Sequence, residues 1–290
     1  MTMVSEVGRT APAVRPLVDP VLSVRGLRIR NQLSGEEIVR GVSFELLPGR
    51  VVGIVGESGS GKTLTCRAVL GILPPHFDVS AGSVDIAGTD IASLSAREWT
   101  ARRGATISAV FQDPASYLNP SIRVGAQIAE VIRAKKGLSR RGARRRAIEL
   151  LSAVRLRDPE LVYGQYPHEL SGGMLQRVLI AAAIAADPQI LLADEATTAL
   201  DVTVQAEILD LLADLRDTAG LALVVVSHDL AVVAQLCDEV LVMRHGRVVE
   251  QGPTSDVLHR PRHEYTQMLI AEHEQYGLDR FATTSPGGVS

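Results

Sequence analysis

Two periodicities alternate along this chain of 290 residues. Val21 to Ile29, Gly41 to Leu47 and Gly82 to Ala87 carry the patterned apolar positions of strands, and Pro48-Gly49-Arg50 reads as a turn. Val51-Val52-Gly53-Ile54-Val55, Gln189 to Ala193, Leu221 to Val226 and Glu239 to Met243 are almost continuously apolar, the pattern of strands buried on both faces of a parallel sheet. Helical spacing fills the intervals: from near Lys62 to a stop by Pro74-Pro75, then Ile122 to Lys135, Arg140 to Val154, Val204 to Arg216 and Leu230 to Cys237. The alternation predicts an α/β fold with a mainly parallel sheet core covered on both faces. From about Asp113 to Ala186 the texture is helical instead, which predicts a helical subdomain inserted into the sheet domain.

With 46% apolar and 3% aromatic residues, the chain can bury a full core as one large domain or one domain with a sizeable insertion. The formal net charge of -3 argues against nucleic acid as the main partner, because backbone phosphates call for a concentrated positive face. Residues 1–20, rich in Ala, Pro and Val, read as a flexible arm rather than a signal peptide. The Thr/Ser/Gly-rich end predicts partial disorder within a tail over 272–290. No run reaches the roughly 18 to 20 apolar residues of a membrane span, so a membrane role would come through a partner. Two cysteines, Cys66 and Cys237, suit a reducing compartment and read as small buried apolar residues.

The chemistry starts after the run Val51 to Val55. Gly56-Glu57-Ser58-Gly59-Ser60-Gly61-Lys62-Thr63 fits G-x-x-x-x-G-K-[ST], with a strand before it and a helix after it. Glycines let successive N–H groups point at phosphate oxygens, and the helix start adds its positive end. The pattern implies a bound nucleoside triphosphate, with Lys62 at the β/γ-phosphates and Thr63 on Mg²⁺. A second apolar run ends in Asp194-Glu195, where open α/β sheets collect ligands: Asp194 would hold the metal and Glu195 would orient or deprotonate the attacking water. Gln112, after Ala109-Val110-Phe111, could touch Mg²⁺ or water as the sheet gives way to the helical segment. His228, just beyond Leu221 to Val226, could hydrogen-bond a γ-phosphate. Leu170-Ser171-Gly172-Gly173 opens a helix and offers a second set of amides for an anion. One active site has no evident need of it, which hints at a nucleotide clamped between two chains. His259 and His263 stand four apart, but Pro261 spoils a shared helical face, so they read as surface residues rather than metal ligands.

Taken in order, the set resembles the ATP-binding subunits of ABC transporters: the phosphate loop Gly56 to Thr63, Gln112, Leu170-Ser171-Gly172-Gly173-Met174, Asp194-Glu195, Ala199-Leu200-Asp201 and His228. The resemblance spans about Val21 to Ala271 and implies a phosphate-loop NTPase of ABC ATPase type that hydrolyses ATP with Mg²⁺. It implies that Ser171 and Gly173 of each subunit reach the γ-phosphate on the opposite subunit, with Asp201 near the seam. It also implies partners: membrane-spanning permease subunits, a second ATPase subunit (paralogue or self) and an extracytoplasmic substrate-binding protein, with the chain peripheral on the cytoplasmic face of the cell membrane. Phe111-Gln112-Asp113-Pro114, Leu118-Asn119-Pro120 and Thr197-Thr198-Ala199-Leu200-Asp201-Val202-Thr203 look like the peptide and nickel importer branch. Leu70-Gly71-Ile72-Leu73-Pro74, Val248-Val249-Glu250-Gln251-Gly252 and Tyr276-Gly277-Leu278 are most similar to its nickel importer ATPases.

Three positions depart from the family pattern. Leu27-Arg28-Ile29-Arg30-Asn31 holds no aromatic residue to stack adenine, where the Arg30 plane could serve instead. Met174 stands for the commoner Gln, and Ala196 for the Pro usual after Glu195. An alternative, a soluble ABC ATPase acting on nucleic acid or ribosomes, predicts a basic face with a coiled-coil insertion or tandem nucleotide domains, and the sequence has one phosphate loop and no heptad run. A regulatory subunit with a dead site would lack Lys62, Glu195 or His228, and all three are present.

Overall fold

The computed structural model describes residues 18–196 and 200–276, with side chains through His273. The chain opens with two paired strands, β1 (Leu22–Asn31) and β2 (Glu37–Leu46), followed by β3 (Val51–Val55) and α1 (Lys62–Val69). A second excursion, β4 (Phe77–Ile86), β5 (Thr89–Asp90) and α2 (Ala96–Arg102), leads to β6 (Ile107–Phe111). Helices then take over: α3 (Val124–Lys136), α4 (Arg140–Ala153), α5 (Pro159–Tyr163) and α6 (Gly172–Ala183). The alternation resumes with β7 (Ile190–Asp194), α7 (Val202–Ala219), β8 (Ala222–Ser227), α8 (Leu230–Leu236), β9 (Glu239–Arg244), β10 (Arg247–Pro253), α9 (Thr254–His259) and α10 (Glu264–Tyr276).

The strands form two sheets. One has the order β10-β9-β3-β8-β7-β6, parallel throughout except for its antiparallel edge strand β10. The other, β2-β1-β4-β5, is antiparallel. The all-apolar runs occupy the parallel sheet because both of its faces are covered. On one face Val51, Val55, Leu191, Ala193, Leu223 and Val225 join a core with α3, α4, α6, α7 and α8. On the other, Val52, Ile54, Leu192, Val224 and Val226 pack with α1 and the inner side of the antiparallel sheet. Burying each such Val or Leu contributes about 1.5–3 kcal/mol, so the alternation within a single strand locks its register between two cores.

Local signals set the ends of the elements. Ser139, Ser171 and Asp201 cap α4, α6 and α7 with side chains that accept from the backbone N–H three residues on. The helix after the phosphate loop ends at Val69, before the expected stop at Pro74-Pro75, and β4 begins at Phe77, five residues ahead of the expected Gly82. Of the tail expected over 272–290, residues 272–276 belong to α10, which runs to Tyr276. The remaining residues of that tail, most of the expected N-terminal arm, and Thr197, Thr198 and Ala199 lie outside the described residues. Cys66 and Cys237 are free and buried, as expected of small apolar residues.

Candidate active site

The register of the parallel sheet assembles the site. Val55 pairs with Ser227, while Asp194 pairs with both Val226 and Phe111. One step beyond these partners, at the carboxyl ends of four neighbouring strands, come Gly56, His228, Glu195 and Gln112. Strands lie about 4.8 Å apart, so four loops separated by up to 172 positions of sequence meet along roughly 15 Å of sheet edge. Ser58, Thr63, Arg67, Phe111, Gln112, Tyr117, Asp194 and Glu195 line one cavity of about 350 Å³ there.

The phosphate loop keeps a conformation that only glycine sustains. Gly56 has φ 146°, Gly59 81° and Gly61 100°, and a Cβ on Gly56 would stand 2.1 Å from the carbonyl oxygen of Met243. Lys62, buried where α1 begins, donates from Nζ to the carbonyls of Gly56 at 2.6 Å and Glu57 at 2.8 Å. Burial lowers its pKa below the ordinary lysine range, against the pull of Glu195 and Asp194. Ser60 Oγ is buried and has no hydrogen-bond partner among the described residues. Thr63 Oγ1 donates to Asp194 Oδ1 at 3.3 Å. Burial raises the pKa of Asp194, the neighbouring Glu195 charge adds to the rise, and the Thr63 hydrogen bond opposes it. An orphaned buried hydroxyl, a glycine cradle, a buried ammonium and a hydroxyl-carboxylate pair together fit a polyphosphate with a divalent cation.

Glu195 has a left-handed backbone at φ 50°, and its N–H donates to the Val226 carbonyl at 3.0 Å. A non-glycine residue held there stores about 1–3 kcal/mol of strain, and the turn keeps its carboxylate at the cavity while the chain leaves the sheet. His228 Nδ1 lies 3.7 Å from Glu195 Oε1, so the two groups face each other across adjoining strand ends. Gln112 precedes Asp113, also left-handed at φ 62°. The arrangement can bind phosphate, hold a cation and orient a water beside a carboxylate.

The start of α6 is placed differently. Ser171, Gly172 and Gly173 are absent from the cavity's lining. Ser171 Oγ accepts from the Met174 N–H at 3.4 Å, and a Cβ on Gly173 would stand 2.6 Å from Val204 Cγ1. Asp201 caps α7 by accepting from the Val204 N–H at 3.0 Å. Arg30, considered for adenine stacking, is exposed and pairs with Asp78 at 3.4 Å. His259 closes α9 and His263 precedes α10, so they share no helix. The sequence reading missed Arg67 and Tyr117. Arg67 stands four positions after Thr63 on the same helix, a spacing that puts both side chains on one face. Tyr117 stacks on Phe111 with ring centroids 5.2 Å apart, a pairing that a lone aromatic between two noted motifs could have suggested.

A parallel sheet with a phosphate loop and paired carboxylates at its carboxyl edge defines a nucleotide hydrolase of the phosphate-loop class. The family model described as ABC transporter matches residues 39–198, and the chain belongs to that family. It is 44% identical over 269 residues to the probable D,D-dipeptide transport ATP-binding protein DdpD of Escherichia coli K12, covering 91% of this chain and 81% of that protein. Against the dipeptide transport ATP-binding protein DppD of Bacillus subtilis 168 the identity is 43% over 275 residues, covering 94% and 82%. Among solved structures, an ATP-binding cassette in a dimeric post-hydrolysis state bound to ADP and Pi is 28% identical with a TM-score of 0.71, covering 80% of this chain and 98% of that one. The protein cbiO1 of Clostridium perfringens, part of the ABC transporter complex cbiONQ, is 27% identical with a TM-score of 0.72 over 90% and 97% of the two chains. The chain is thus an ATP-binding, ATP-hydrolysing subunit of transporter type.

Proposed function

We propose that this chain drives an importer of small peptides. It works on the cytoplasmic face of the cell membrane beneath membrane-spanning permease subunits, paired with a second ATPase subunit, while an extracytoplasmic binding protein delivers cargo. The observation that carries the substrate class is the likeness, at 43–44% identity over most of both chains, to proteins named for dipeptide and D,D-dipeptide transport. That support favours peptides over the nickel or metal chelate suggested by short motifs such as Val248 to Gly252. The negative net charge fits no nucleic-acid partner. No helix among the described residues is long and apolar enough to cross a membrane, in keeping with peripheral docking. In this reading residues 21–271 form the ABC ATPase domain, and the helical segment 113–186 flanks the groove that receives the permease.

Each site residue then has a role. The loop Gly56 to Thr63, through those of its amides that the protein does not itself hold, and the Lys62 ammonium bind the phosphates of ATP, and Ser60 Oγ gains the acceptor it lacks. Thr63, Asp194 and Gln112 would hold Mg²⁺ when it is bound, and it would supply charge to offset that developing on the phosphates. The cation would also stabilise the buried Asp194 carboxylate that burial now disfavours. Glu195 orients water and accepts its proton, and His228 steadies both Glu195 and the terminal phosphate. Ser171, Gly172 and Gly173 serve the facing subunit's nucleotide. The test is ATP turnover in the reconstituted transporter: peptide-loaded binding protein raises it several-fold, whereas stimulation by nickel-loaded but not peptide-loaded binding protein would overturn the substrate assignment.

A further inference from the structure

The C-terminal helix α10 touches the ATPase site from behind at two points. Its entry is fixed by Glu250 of β10, whose carboxylate accepts from the N–H groups of Arg262 at 2.8 Å and His263 at 3.1 Å. The acid sits at the helix start, where the backbone dipole favours negative charge. His263 Nδ1 then accepts from the Tyr265 N–H at 3.1 Å. Tyr265 is 1% exposed and the largest fully buried side chain among the described residues. The Arg244 guanidinium lies 4.6 Å from its ring centroid. Its hydroxyl oxygen accepts from the Glu57 N–H at 2.9 Å. Eight residues on, about 12 Å along the helix, His273 Nε2 donates to the carbonyl oxygen of His228 at 3.1 Å.

The Glu57 N–H and the Gly56 carbonyl belong to one planar peptide unit. Its oxygen accepts from Lys62 Nζ at 2.6 Å while its N–H donates to Tyr265. Tyr265 and Lys62 therefore hold opposite ends of a rigid plate. A rotation that breaks the Tyr265 bond swings the Gly56 carbonyl away from the ammonium. Gly56 itself resists nothing, because glycine at φ 146° has no side chain to restrain it.

We propose that Tyr265 is a positioning residue of the ATPase site: by pinning the Gly56–Glu57 peptide it fixes the carbonyl that orients Lys62, while His273 ties the same helix to His228. The proposal rests on the reading of Lys62 as the phosphate-binding ammonium. It makes α10 a brace that keeps the phosphate loop and His228 at a set spacing, a role no residue of the loop can supply by itself.

Tyr265→Phe keeps the buried ring and its contact with Arg244 and removes only the hydroxyl, and with it the bond from the Glu57 N–H. In the full chain, amide exchange at Glu57 should speed up on the order of tenfold and MgATP affinity should fall about three- to tenfold. Exchange in β7 and β8 should stay as in the wild type. Unchanged Glu57 exchange with unchanged affinity would overturn the proposal, and so would uniform loosening of β3, β7 and β8, which would make Tyr265 merely structural. Lys62→Ala separates this from the underlying reading. Lost MgATP binding in Lys62→Ala beside wild-type behaviour of Tyr265→Phe would sink the brace alone. Retained MgATP binding in Lys62→Ala would sink the assignment of the loop itself.

Discussion

The carboxyl edge of the parallel sheet and the start of α6 use the same materials, glycines and a hydroxyl residue ahead of a helix, with opposite results. At the sheet edge, register brings Gly56, His228, Glu195 and Gln112 into one row, and the Thr63, Asp194 and Glu195 side chains line a common cavity. At α6, Ser171 is exposed, its hydroxyl caps its own helix, and Gly173 packs against Val204. A helix start becomes a site when other elements of the fold converge on it. The first has converging strands in this chain, whereas the second faces outward, which is where a second chain would supply them.

The largest effect should fall on the convergent side. Glu195→Gln is expected to keep MgATP binding and to lower ATP turnover by on the order of 10²-fold in the reconstituted complex. Near-wild-type steady-state hydrolysis would move the catalytic carboxylate elsewhere and erase the contrast between the two regions.

An intermediate effect bears on the other side. Gly173→Ala places a methyl group 2.6 Å from Val204 Cγ1, so α6 or α7 must shift at a cost of about 1–3 kcal/mol. Thermal unfolding of the isolated chain should show the loss while calorimetry finds MgATP affinity unchanged. A stability equal to the wild type would mean that the glycine serves only the facing chain.

A smaller effect depends on pH. Burial raises Asp194 above its ordinary value of 3.8, so the folded state favours the proton. The stability tied to that proton is present at acid pH and lost as pH rises through the folded-state pKa. Asp194→Asn imitates the protonated form. Without divalent cation it should therefore melt higher than the wild type at neutral pH, with the gap closing towards acid pH. A gap that widens on acidification would contradict the assigned desolvation.

Much of this was legible because it depends on short stretches of sequence. Runs such as Val51 to Val55 and Leu221 to Val226 can be satisfied only by burial on both faces, and the residues just past each run lie at the sheet edge once the strands are parallel. Pairings between distant segments were not legible. The antiparallel sheet escaped notice as a separate layer, since its strands meet through register across loops, and the exposed Val79 blurs the alternation at the start of β4. Arg67 and Tyr117 carry no motif of their own. Tyr265 contacts Glu57 across 208 positions, a contact that no local pattern around either residue encodes. The start of α6 could be recognised as a helix cap from Ser171-Gly172-Gly173 alone, yet its separation from the cavity became visible only in three dimensions.

We infer from the contrast that this chain completes one half of a nucleotide site and lends the start of α6 to another. The decisive experiment is light scattering on the Glu195→Gln chain with MgATP and its ATPase partner, with and without Ser171→Arg. Association should depend on ATP and be abolished by Ser171→Arg, with MgATP binding to the isolated chain unchanged; equal association in both proteins would contradict a shared site.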